Sequence, residues 1–174
     1  KAIINDVDTD VKWIQLWENG PKFAECNVNI ATYGSIFNNQ MSFTDAVKTG
    51  DEYAWGANWR TPSYDELNEL LLAAQGNSKA KVTCVYGQNE EGAWGFTFTG
   101  KEAGYASNSV FFPCYSHGES DIGYEWYWSS TAVDASYKWR MFLAYSKDET
   151  FKSTWEKSSE ISKKFVRAVL NENK

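Results

Sequence analysis

The residues of this chain that could do chemistry are few, and their spacing argues against most reactions. His117 is the only histidine and sits in Ser116-His117-Gly118-Glu119-Ser120-Asp121. Nucleophilic catalysis needs nucleophile, base and orienting acid brought together on a rigid frame. One glycine-bearing loop does not supply that frame, so His117 reads as a solvated loop residue. Cys26, Cys84 and Cys114 are odd in number and lie in apolar, strand-like settings (AECNV, VTCVY, FPCYS). They read as small buried hydrophobes, with a single disulfide or a reactive thiol as the other outcomes. No two of them stand at metal-ligand spacing. Carboxylates are plentiful, but no pair is marked out for glycosidase-type work. The chain has no phosphate-cradling loop ending in Lys-Ser/Thr, no dinucleotide fingerprint and no His-x-x-x-His helix. Asp6, Asp8 and Asp10 alternate as in a calcium loop, yet Val11 and Trp17 occupy the places of its glycine and closing glutamate. The expectation is a non-enzymatic protein with no metal and no cofactor.

A recognition surface is the better-marked possibility. Between Lys138 and Arg167 lie eight Lys/Arg and four Asp/Glu, a local charge of +4. The net charge is −6, so the remainder carries −10. Trp139, Phe142, Tyr145, Phe151 and Trp155 are interleaved with those cations. Cations among rings suit an anionic or ring-bearing ligand, through charge-assisted hydrogen bonds and stacking. The expected face is Tyr137, Lys138, Arg140, Phe142, Lys152, Trp155 and Glu156. In it Arg140 and Lys152 donate to an anionic group, while Phe142 and Trp155 stack. The competing reading is a core sheet whose outer face happens to be basic.

The positioning elements can be read from pattern. Pro62, Ser63 and Glu66 write a Ser-x-x-Glu capping box, and Leu67, Leu70, Leu71 and Ala74 follow at helical spacing up to Gly76. This predicts one main helix. Ser42 to Lys48 predicts a shorter one, capped by Ser42 or Thr44. Strands are predicted from Val11 to Trp17, Lys22 to Val28, Val82 to Tyr86, Trp94 to Thr99, Ser109 to Tyr115, Tyr124 to Thr131, Tyr137 to Tyr145 and Lys164 to Leu170. Ser146 to Lys163 reads as a polar, turn-rich excursion. Alternation along 137–145 turns Trp139, Met141, Leu143 and Tyr145 to one face, leaving Arg140 and Phe142 on the other. Trp126, Trp128, Trp55 and Trp59 read as core, and Arg60 and Arg167 as structural cations. The class is α+β: one main helix, a shorter helix and mixed, mainly antiparallel sheet.

At 174 residues the chain is one domain by size, and such a domain buries roughly 70% of its unfolded surface. Residues 1–10 read as a leader or linker end, and 11–174 as the domain. The opening Lys suggests a mature or trimmed chain. The acidic balance argues against nucleic acid, and no apolar run reaches the ~20 residues of a membrane helix. Aromatic residues are 17% of the chain, enough for some rings to stay at the surface.

Several motifs in order carry a resemblance. Trp55-Gly-x-x-Trp59-Arg60-x-Pro62 precedes Glu66-Leu67-x-x-Leu70. Ser109-Val-Phe-Phe-Pro113, Gly123-Tyr-Glu-Trp-Tyr-Trp-Ser-Ser-Thr131 and Phe165-Val-Arg-Ala-Val169 follow, and Phe23-Ala-Glu-Cys-Asn-Val28 comes before. This resembles bacterial surface domains related to the C-type lectin fold, including the Fibrobacter succinogenes major paralogous domain. Ala168 departs from the family's usual proline. The resemblance spans about Val11 to Leu170. It implies a C-type-lectin-like fold in which first and last strands pair. It also implies an extracellular or cell-surface address, with a lipid anchor on the precursor as one form of attachment. The expected partner is a glycan or a protein, bound through the late strands and loops; the alternative is an assembly module of a surface or fimbrial complex. The calcium-ligating Glu-Pro-Asn, Gln-Pro-Asp and Trp-Asn-Asp tripeptides of sugar-binding lectins are absent, which argues against calcium-mediated binding.

Overall fold

The computed structural model describes residues 12–27, 40–47, 59–114, 121–148 and 152–172. His117, Asp6, Asp8, Asp10, Trp55 and Phe151 lie outside them, as does the 1–10 segment. The elements run β1 (Trp13–Gln15), β2 (Lys22–Ala24), α1 (Phe43–Ala46), β3 (Trp59–Arg60), α2 (Tyr64–Ala74), β4 (Val82–Gln88), β5 (Trp94–Gly100), β6 (Ser109–Pro113), β7 (Ile122–Ala132), β8 (Tyr137–Ser146), β9 (Thr154–Ser159) and β10 (Val169–Leu170). The class is α+β, with three sheets ordered β1-β2-β10-β3, β4-β5-β6 and β7-β8-β9.

Helix α2 begins and ends where its sequence says. Ser63 Oγ accepts from the Glu66 N–H at 3.3 Å, and the Glu66 carboxylate accepts from the Ser63 N–H at 2.9 Å. Arg60 grips the same carboxylate with both terminal nitrogens, at 2.6 and 2.8 Å. At the far end Gly76 takes φ 75°. Its N–H reaches Ala73 O and the Asn77 N–H reaches Leu72 O, both at 3.0 Å, which closes a Schellman motif. Leu67, Leu70, Leu71 and Ala74 are buried along the stripe.

Strand pairing is antiparallel within the named sheets, with one parallel bridge, Tyr127 to Phe165, on the edge of β7. The last strand pairs with β2 and β3, and β1 pairs with β2 alone. Among the described residues, then, β1 and β10 do not pair directly; β2 lies between them. The predicted strand 164–170 is broken into a bridge at Lys164–Phe165 and the two-residue β10. The predicted excursion 146–163 contains β9, paired with β8 from Tyr137↔Ser159 to Phe142↔Thr154.

The β7–β8–β9 sheet divides two cores. Its inner face, with Tyr127, Met141 and Leu143, packs with α2's leucines and with Phe96, Phe98 and Phe112. Part of its outer face is covered by a smaller cluster of Met41, Phe43, Ala46, Trp59, Trp128 and Val166. Arg167 joins the two. It is 1% exposed, donating to Asn27 Oδ1 at 2.9 Å, to Ala24 O at 3.5 Å and to Phe111 O.

Gly123 marks a close contact between the β4 and β7 strands of two sheets. Tyr86 stacks on Tyr145 with centroids 4.6 Å apart and donates to Ile122 O at 2.8 Å. A Cβ on Gly123 would overlap the Tyr86 ring. Gly123→Ala should therefore expel that ring and cost about 1–3 kcal/mol, the usual range for overpacking. Thermal unfolding and near-ultraviolet dichroism check this; an unchanged spectrum and melting temperature would refute it.

Candidate functional site

Further along the outer face, the described residues present an aromatic platform. Period-two alternation puts Tyr124 and Trp126 of β7 on the side opposite Tyr127, and Trp126 stands directly across from Phe142. Those two rings stack, 4.9 Å apart at 25°. Tyr124 meets Trp126 edge-on at 5.4 Å. All three are half-buried.

Beside the rings lies a paired charge. Arg140 stands across from Glu156. Its Nε donates to Glu156 Oε1 at 2.9 Å, and its Nη2 lies 2.8 Å from the same oxygen. The Trp126 indole N–H donates there as well, at 2.8 Å. Arg140 Nη1 reaches Ser158 Oγ at 3.3 Å. The guanidinium centre and Lys164 Nζ each lie 5.1 Å from the Trp126 ring centroid, within cation–π reach. Side-chain exposure is 20% for Arg140 and 31% for Glu156, so both still meet solvent.

This geometry brings together some of the expected residues and separates others. Arg140, Phe142 and Glu156 share one face. Trp155 does not. It stands across from Met141 and so follows Met141 to the inner side, where it stacks on Tyr64 at 4.1 Å and donates to Asn68 Oδ1 at 3.1 Å. Its part as a stacking surface beside Phe142 is corrected: it clamps α2 to the sheet. Tyr137 is 47% exposed at the end of β8, on the parity of Trp139. Lys138 turns toward α1, with Nζ 5.1 Å from the Phe43 ring centroid. Lys152 is exposed just before β9. The role given to Arg140, donor to an anionic group, is corrected too, because Glu156 already answers its charge.

Trp126 and Tyr124 are the residues the sequence reading passed over. Trp126 was expected in the core with Trp128. Only Trp128 is fully buried, at 0%. The available signal was parity: Trp126 is two residues from Tyr124 and one from the core-facing Tyr127.

The titratable groups nearby are unequal. Glu125, between Tyr124 and Trp126, is 2% exposed. Burial pushes its carboxyl up to about 7, opposed by the Trp126 N–H, by Lys164 and by Gln40. Burial lowers the Lys164 ammonium, with Arg140 adding to the effect. Burial also pushes the Cys84 and Cys114 thiols up to about 12, which leaves them protonated and poor nucleophiles. No disulfide joins the cysteines. Among the described residues no group of three His, Cys, Asp or Glu is placed to hold a metal ion, and no helix is long and apolar enough to cross a membrane. No protein-family model matches the chain, and no curated protein and no solved structure matches it either.

Proposed function

We propose that this chain is a non-enzymatic, C-type-lectin-like recognition domain of a bacterial cell surface, and that it takes a carbohydrate on the outer face of β7, β8 and β9. The fold name and the surface address rest on the motif resemblance. The ligand class rests on one observation: the Trp126–Phe142 stack adjoins the Arg140–Glu156 pair, with the Trp126 indole N–H donating to the Glu156 carboxylate. A pyranose has an apolar C–H face that stacks on rings, and hydroxyls that both donate and accept. A guanidinium and a carboxylate side by side supply fixed donors and acceptors for such hydroxyls without net charge. A few placed polar groups beside aromatic surface is the usual composition of a small-ligand site. The compensated charge favours a neutral glycan over a polyanion.

Neutral and acidic oligosaccharides on an array, followed by calorimetry on the hits, test the reading. Trp126→Ala and Phe142→Ala should each weaken binding about tenfold or more, as expected when about 1.4 kcal/mol of stacking is lost. Trp155→Ala should leave affinity unchanged and lower stability by about 2 kcal/mol, because its ring serves the interior. Silence across the array, or affinity that follows Trp155 rather than Trp126, would refute the assignment.

A further inference from the structure

The outer face of β7 and β8 continues past the Trp126–Phe142 stack. Register holds without a shift from Ile122↔Ser146 to Trp128↔Arg140. Trp128, Trp126, Tyr124 and Ile122 therefore lie on one side of β7, each beside its β8 partner. The rows they form differ in cover. Trp128 is 0% exposed and meets the Phe43 ring edge-on at 5.5 Å, so α1 closes that end of the face. Arg140 and Glu156 complete the same row. The Trp126–Phe142 stack comes next. Beyond it stand Tyr124 with Ala144, both half-buried, and then Ile122 with Ser146, where Ile122 is 43% exposed.

The chemistry changes along this strip. Among the outward-facing residues of β7, β8 and β9, charge is confined to the end that holds Lys138, Arg140 and Glu156. Past Phe142 the strip offers apolar surface and two hydroxyls, those of Tyr124 and Ser146. Ala144 is the smallest side chain in it, set between Phe142 and Ser146, so the surface dips beside the Tyr124 ring. Tyr124 meets Phe142 only at 6.5 Å and 48°, a looser contact than the 4.9 Å stack beside it. A dip against a ring, rimmed by hydroxyls, suits the C–H face and hydroxyls of a further pyranose. A strand advances about 3.4 Å per residue, so Ile122 lies roughly 14 Å from Trp126, the length of about three pyranose units in a chain.

We propose that the site takes a linear, uncharged, β-1,4-linked oligosaccharide of about three units, one held against Arg140 and Glu156 and the others laid over Tyr124 and Ile122. This deepens the carbohydrate reading of the same face and rests on it. Direction follows from cover: Trp128 and Phe43 fill one end, so the chain extends toward Ile122. Linkage follows from shape. β-1,4 bonds between equatorial positions keep successive sugar rings in a ribbon that can follow a strand, whereas α-1,4 bonds coil the chain away. Absence of charge past Phe142 selects neutral units there. Each added unit removes more apolar surface from water, so affinity grows with length until the strip is filled.

Calorimetry on the intact chain tests this with β-1,4-linked glucose and mannose oligomers of one to four units, and with α-1,4-linked glucose oligomers as the coiled control. One β-1,4 series should gain about tenfold or more in affinity from one unit to three and level off at four, while the α series gains nothing. Trp126→Ala should weaken every member of the series that binds. Tyr124→Ala should erase the gain from the second unit onward, and Ile122→Ala only the gain from the third. Ile122→Ala should melt like the wild type, since much of that side chain meets solvent. Affinity that depends on Trp126 but not on chain length would overturn the proposal and leave the carbohydrate reading standing. So would array hits among other glycans with both β-1,4 series silent. Silence toward every glycan would overturn both.

Discussion

Arg167→Ala should lower the free energy of unfolding by about 3–5 kcal/mol, a large part of the 5–15 kcal/mol typical of a whole domain. The side chain is 1% exposed, and its partners are neutral: the Asn27 amide and the carbonyls of Ala24 and Phe111. Asn27 in turn donates to Tyr127 Oη at 3.1 Å, and that hydroxyl donates to Pro113 O at 2.7 Å. Truncation therefore strands two buried carbonyls, loosens a chain of hydrogen bonds between β2, β6 and β7, and opens a cavity against the Phe112 ring, 4.4 Å from the guanidinium. A buried cation is itself costly to desolvate. Arg167→Met fills most of the volume without charge and should lose clearly less than Arg167→Ala. Urea unfolding with a common m-value measures both. A loss below about 1 kcal/mol for Arg167→Ala would show that the network does not hold the sheets together.

How much of this was legible in the sequence differs from element to element, for physical reasons. α2 was readable at both ends because its signals are local: a capping box three residues wide, a leucine stripe and a glycine in the left-handed region. The alternation of β8 was equally local, and Met141 and Leu143 are at 0% exposure as the pattern requires. The structural duty of Arg60 and Arg167 was also visible, although their partners were not. β9 was missed because Thr154–Ser159 is polar; it is held by backbone pairing to β8 rather than by composition. That omission carried Trp155 to the wrong face, since parity across β8 and β9 depends on a register that only the pairing defines. β3 and β10 are two residues long and offer no period at all. Trp126 was hidden for another reason. At Trp128 the second core covers the outer face, so β7 is apolar on both sides there and its alternation fades. The Arg140–Glu156 pair was beyond local reading, because sixteen residues and a turn separate two charges that register makes neighbours.

Glu125 should impose a pH dependence on stability opposite to that of ordinary paired carboxylates. Its folded pKa is about 7 against an unpaired value of 4.5, raised by burial. The folded protein thus binds more protons than the unfolded chain between those values, and stability falls as pH rises through that window. The stabilisation is complete below pH 4.5 and gone above about 7. At 1.36 kcal/mol per unit the loss is on the order of 3 kcal/mol. Glu66 works the other way and at lower pH: although burial opposes it, hydrogen bonds from Arg60 and Ser63 hold its carboxyl below the usual range. Its contribution is lost only as pH falls through that depressed value, so the two effects separate on the pH axis. Glu125→Gln keeps an acceptor for the Trp126 N–H, now 3.0 Å from the carboxylate, while removing the charge. At pH 8 the variant should be the more stable protein by up to about 3 kcal/mol, and at pH 4.5 the two should converge. Chemical unfolding at half-unit steps from pH 4 to 8 gives both curves. Parallel curves would mean that the Glu125 carboxylate is ionised at no cost, and that its burial against Gln40 and Lys164 is compensated throughout.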